Sequence, residues 1–186
     1  MPILARQPDL HPPSLLDAGA AADRALGRWV AFYTCARREK ELMRRLAAAD
    51  IPFYAPLIAR RLRSATGRTR VSHVPLFPGY VFALVDEDQR RTALETNTVA
   101  RWLPIVDGAS LVEDLRAVKR LIDSDRPLSP EARLEPGHEV RVRSGVLRGL
   151  DGRVVRRCGR ERLVVAVRFL NQGVSIELED VDLERD

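Results

Sequence analysis

Residues 60–70, Arg60-Arg61-Leu62-Arg63-Ser64-Ala65-Thr66-Gly67-Arg68-Thr69-Arg70, hold five arginines and no acidic residue. Guanidinium groups grip phosphate bidentately, so a dense, uncompensated cluster of them suits a nucleic-acid backbone. A merely solvated loop is the competing reading. No aromatic residue is interleaved, which favours backbone contact over base stacking. Arg37, Arg38 and Lys40 form a second cationic cluster upstream. The aromatic residues concentrate elsewhere, in Pro75-Leu76-Phe77-Pro78-Gly79-Tyr80-Val81-Phe82. Pro cannot donate to a sheet ladder, so Pro75 and Pro78 belong before a strand or on its edge. The run reads as a stiff aromatic strand entry, suited to core packing or to holding a partner.

Catalysis finds no support. His11, His73 and His138 fall in a tail, a loop and a domain start, outside any nucleophile or metal motif. The glycines between Gly145 and Gly152 read as turn residues, not as a phosphate loop before a helix. No enzyme activity, cofactor or metal site is therefore expected. Cys35 and Cys158 make no metal-ligand spacing and read as free thiols of a reducing cytoplasm. No apolar run approaches the length of a membrane span. The net charge is +5, and all but Lys40 and Lys119 of the 31 basic residues are arginine. A GC-rich genome would produce the same bias, so the clustering of charge carries more meaning than its total.

The elements that must position these residues follow from pattern. Residues 1–27 are rich in Pro and Ala and read as a disordered tail. Trp29-Val30-Ala31-Phe32-Tyr33-Thr34 predicts a strand. Leu42, Met43, Leu46 and Ala49, at spacings of three and four, predict a helix whose other face is basic. After Pro52, residues 53–58 predict a strand, 60–70 a loop or hairpin, and 79–85 a third strand. A short helix runs from Asp86 to Glu95, and residues 99–106 form a fourth strand containing Trp102. Ser110 and Glu113 form a capping box that opens a helix with Leu111, Leu115, Val118 and Ile122 on one face. The order βαββαβα predicts an α+β domain over 28–124, a sheet covered on one side by helices. Pro127 and Pro130 punctuate an aperiodic linker at 125–135. Over 136–186 the period becomes two, with Gly turns, which predicts a small all-β barrel.

The Pro75–Phe82 run, taken with Trp29 to Tyr33, resembles the N-terminal domain of NusG-family transcription elongation factors. Glu135-Pro136-Gly137, Glu139-Val140-Arg141-Val142, the stretch from Gly145 to Val154, and Val174-Ser175-Ile176-Glu177-Leu178 resemble the KOW domain, the SH3-like barrel that ends such proteins. Leu76-Phe77-Pro78 and Cys35-Ala36-Arg37-Arg38 resemble the RfaH-like specialised branch of the family. The likeness covers residues 28–186. It implies a non-enzymatic cytoplasmic monomer, without membrane attachment, that modulates pausing and termination. It also implies that Tyr33, Phe53, Phe77, Tyr80 and Trp102 meet the clamp helices of the largest RNA polymerase subunit. Read singly, each of these aromatics is also an ordinary core residue. Arg37, Arg38, Lys40, Arg60, Arg61, Arg63, Arg68 and Arg70 would face upstream or non-template DNA. Phe169, Leu170 and Gln172 would meet a partner of the KOW domain, such as the small ribosomal subunit or Rho. The alternative is a ribosome-associated or RNA-binding KOW protein.

Overall fold

A computed structural model describes residues 8–17, 27–63, 69–133, 136–157 and 160–178. The chain divides into two compact units, residues 1–108 and 109–186.

The first unit is built on β2 (Arg28–Thr34) and β6 (Tyr80–Val85), paired antiparallel from Arg28↔Val85 to Tyr33↔Tyr80. β1 (Leu10–His11), β3 (Phe53–Tyr54) and β7 (Val99–Pro104) complete an antiparallel sheet of order β1-β3-β6-β2-β7. Residues opposite each other across a ladder share a face. One face therefore carries Val30, Phe32, Val81, Ala83 and Phe53; the other carries Trp29, Ala31, Tyr33, Tyr80, Phe82 and Tyr54. The first set forms a core with Leu42, Met43 and Leu46 of helix α1 (Glu39–Ala48). Glu39 and Glu41 lie in the first turn of α1, where acidic groups complement the helix dipole. Helix α2 (Glu87–Glu95) has the capping box in this unit. Asp86 Oδ1 accepts from the Gln89 backbone at 2.8 Å, and Gln89 Oε1 accepts from the Asp86 backbone at 3.1 Å.

Residues 53–58 were expected to form one strand, but the strand breaks after Tyr54. Pro56 has no backbone donor, and the chain re-enters as β4 (Leu57–Arg63) in a separate ladder with β5 (Thr69–Pro75). The arginine-rich segment is thus a hairpin, paired from Leu57↔Pro75 to Arg63↔Thr69.

The N-terminal segment departs from the expected disorder. Leu10 pairs with Tyr54 and His11 with Phe53, and the Ala55 amide donates to the Asp9 carbonyl at 2.8 Å. His11 Nε2 lies 2.8 Å from Asp50 Oδ1, and its ring stacks at 6.2 Å from that of Phe53. Leu15 and Leu16 are 4% and 2% exposed. The rest of the expected tail, 1–7 and 18–26, lies outside the described residues.

In the second unit, β8 (Leu128–Glu131), β9 (His138–Arg141), β10 (Asp151–Arg157), β11 (Arg160–Val167) and β12 (Gln172–Glu177) form an antiparallel sheet of order β8-β12-β11-β10-β9. β8 occupies the segment expected to be linker. Its ladder with β12 sets Pro130 opposite Val174, and an edge strand tolerates a proline. A buried polar cluster fastens it. Ser175 Oγ donates to Glu131 Oε1 at 2.6 Å, and Arg162 donates to Ser175 Oγ and Ser129 Oγ, each at 2.9 Å. Across β9 and β10, Arg141 donates to both oxygens of Asp151 at 2.6 and 2.8 Å, which holds that carboxyl below its usual range. Helix α3 (Gly108–Asp123) was expected to close the first domain, yet it groups almost wholly with this unit. It also begins two residues before the expected cap, so Ser110 lies inside its first turn.

The buried leucines make the N-terminal strap testable. Truncating a buried Leu costs about 2–5 kcal/mol. Leu16→Ala should lower the urea midpoint by a matching amount, whereas an unchanged midpoint would return this segment to the status of a loose tail.

Candidate functional site

The turn Leu76-Phe77-Pro78-Gly79 leads into β6 and is held from two sides. The Thr34 amide at the end of β2 donates to the Gly79 carbonyl at 2.8 Å. The Gly79 amide donates to Glu39 Oε1, at the start of α1, also at 2.8 Å. Glu39 is 9% exposed, so this carboxylate bond is made largely away from water. Gly79 adopts φ +86°, and a Cβ there would lie 3.0 Å from Cε2 of Tyr33. The turn therefore presses its backbone against the tyrosine ring.

That geometry sets a row across three strands. Tyr80 of β6 and Arg101 of β7 both lie opposite Tyr33 of β2. The rings of Tyr33 and Tyr80 meet edge to face at 5.2 Å, and the Arg101 guanidinium lies 5.0 Å from the centroid of Tyr33. A register shift at Tyr33/Thr34 leaves Ala100 unpaired beside the row. Bulges of this kind re-aim neighbouring side chains. Both tyrosines are half-buried and Arg101 is exposed.

The five expected aromatics do not converge on one surface. Phe53 is 0% exposed and belongs to the α1 core. Phe77 is 2% exposed and packs edge to face on Phe82 at 6.4 Å. Neither offers ring surface to a partner, the usual fate of a large apolar side chain. Trp102 is 36% exposed, but it lies opposite Phe32 and so on the other face from Tyr33. Arg90 of α2 covers its ring at 4.4 Å. Arg101, which sequence reasoning missed, joins the tyrosines. The signal available was its place next to Trp102 in a strand, which puts it on the opposite face.

The cationic residues separate into two groups. Arg38 pairs with Glu41, which also accepts from Arg45 at 3.1 Å. These two hydrogen bonds, Arg38's first, hold the Glu41 carboxyl below its usual range. Arg37, Lys40 and Arg44 are exposed, and among the described residues no carboxylate pairs with them. Lys40 and Arg44 are four apart on α1 and so share a face. On the hairpin, Arg60 is exposed, Arg61 and Arg63 lie on β4 and Arg70 on β5. Arg68 lies outside the described residues.

In the second unit a single 3-10 turn, Arg168–Leu170, precedes β12. Asn171 closes it at φ 50°. Phe169 is 39% exposed, while Leu170 and Gln172 are half-buried. Asp114 of α3, 8% exposed, anchors this tip. It accepts from the Arg168 amide at 2.8 Å and from the Arg168 side chain at 2.9 and 3.0 Å.

Among the described residues, no cluster of His, Cys, Asp or Glu could hold a metal ion, and no helix is long and apolar enough to cross a membrane.

The family model described as "Transcription termination factor nusG" matches residues 27–127, more than half of the chain. The chain belongs to the NusG family. No curated protein matches it. NusG-family membership makes it a transcription factor of the elongation and termination class, a non-enzymatic type of protein that generally acts on RNA polymerase. The NusG match runs through α3, although Arg168 and the contacts around it fasten that helix to the second unit.

The strained position of Gly79 gives a test of the row. A side chain in the left-handed region costs about 1–2 kcal/mol, and here it would also press on Tyr33. Gly79→Ala should lower the unfolding free energy by at least that amount. Equal stability of the two proteins would mean that the turn relaxes without engaging the ring.

Proposed function

We propose that this chain is a transcription elongation and antitermination factor of the RfaH-like branch, acting as a cytoplasmic monomer. Its first unit grips the clamp helices of the largest polymerase subunit. The half-buried pair Tyr33 of β2 and Tyr80 of β6, beside a turn held by Glu39, is the observation that carries this reading. Aromatic rings fixed at low entropic cost are good anchors for a partner helix. A factor that holds the closed clamp better than the open one shifts the balance away from pausing, and only that difference in affinity can do so.

The exposed cations Arg37, Lys40 and Arg44, which no carboxylate pairs among the described residues, supply with the hairpin arginines a backbone contact to upstream or non-template DNA. The second sheet serves as the KOW barrel. Its tip at Phe169, Leu170 and Gln172 recruits a further partner and raises that partner's local concentration at the transcript.

Replacing Tyr33 and Tyr80 together by Ala should weaken binding to purified RNA polymerase by about 1–3 kcal/mol. A folded double variant that binds as tightly as the parent would rule this surface out. For the hairpin, Arg61, Arg63, Arg68 and Arg70 replaced by Ser should flatten the dependence of elongation-complex affinity on salt. Parallel salt curves for the two proteins would reduce the hairpin to a solvated feature.

A further inference from the structure

Two successive residues of β7 take part in arginine–aromatic pairs, on opposite faces of the sheet. In one, Trp102 is the ring and Arg90 the cation, at 4.4 Å. Arg90 is 21% exposed in its side chain and donates to both oxygens of Glu87, so its donors are engaged within the fold. In the other, Arg101 is the cation and Tyr33 the ring, at 5.0 Å. Arg101 is exposed, and among the described residues no carboxylate or carbonyl accepts from it. Attraction to a ring draws on the positive charge of a guanidinium but leaves its in-plane N–H groups without acceptors. Its orientation is partly fixed by the ring and by the bulge at Ala100, so less freedom is lost when an acceptor arrives.

We propose that Arg101 is a specificity determinant of the polymerase contact, receiving a carboxylate from an acidic side chain that flanks the apolar ridge docked on Tyr33 and Tyr80. This inference rests on the polymerase-binding reading above and adds the chemistry its partner must carry. The planar fork of Arg matches a carboxylate with two parallel hydrogen bonds. A phosphate backbone is usually met by several cations in a row, as α1 offers with Lys40 and Arg44. At Arg101 the row supplies one cation beside two tyrosines, the composition of a protein–protein hot spot. Charge here would also select: a partner ridge flanked by Lys or Arg would be repelled.

The test uses the full-length chain and RNA polymerase core from the same organism, free of nucleic acid. Binding is measured by fluorescence anisotropy across a salt series. Arg101→Gln should weaken binding at least about tenfold and reduce its salt dependence, with the thermal melt unchanged. Arg101→Glu should bind more weakly still, and one acid→Arg change on the polymerase clamp helices should restore it. A structural role alone could not produce that rescue. Unchanged affinity of Arg101→Gln overturns the proposal, as does failure of every reversal on the polymerase to restore Arg101→Glu. A loss seen only when an elongation scaffold is added also overturns it, by assigning Arg101 to a phosphate. Failure of the parent chain to bind the polymerase would instead overturn the function proposed above.

Discussion

The hydrogen bond from the Gly79 amide to the buried carboxylate of Glu39 is the constraint on which the first unit depends. It ties a turn to the first residue of a helix forty positions away in sequence. The Thr34 amide closes the same turn from the central strand. Three elements thereby share one fixed point. A carboxylate this far from water is retained only where it is bonded, so the bond and the helix start support each other. The two prolines before Gly79 narrow the backbone further. Tyr33 thereby lies against a glycine backbone, a second tyrosine and a guanidinium.

Much of the first unit was legible because its signals are local. The spacing of Leu42, Met43 and Leu46 gave the helix, and the aromatic and β-branched runs gave the central strands. What stayed hidden depends on partners remote in sequence. β8 has no alternation of its own; it is a strand because β12 offers a ladder and Glu131 meets Ser175. β1 lies in a Pro-rich segment and exists because β3 has an open side. The expected capping box shows the same limit. Ser110 and Glu113 fit the pattern, yet the helix that holds Ser110 starts earlier.

The site was half legible for a related reason. Sequence located the aromatic entry but not which rings remain reachable. Phe53 and Phe77 fill the interior, Phe53 within the α1 core and Phe77 against Phe82. Facing follows from register, and register is a property of pairs of strands. Once Tyr33 is known to oppose Arg101 and Phe32 to oppose Trp102, the candidates sort themselves onto two surfaces.

The strand at Leu128–Glu131 has a practical meaning for dissecting the chain. A fragment cut at residue 136, the boundary suggested by composition, would keep β9 to β12 but discard the strand that covers β12. It would also discard Asp114, the acceptor for the Arg168 amide. The exposed backbone of β12, carrying Val174 and Ile176, would then be a template for pairing with another molecule. Stickiness in such a fragment would be an artefact of where it was cut. A fragment that begins ahead of α3 keeps both the covering strand and the anchoring carboxylate.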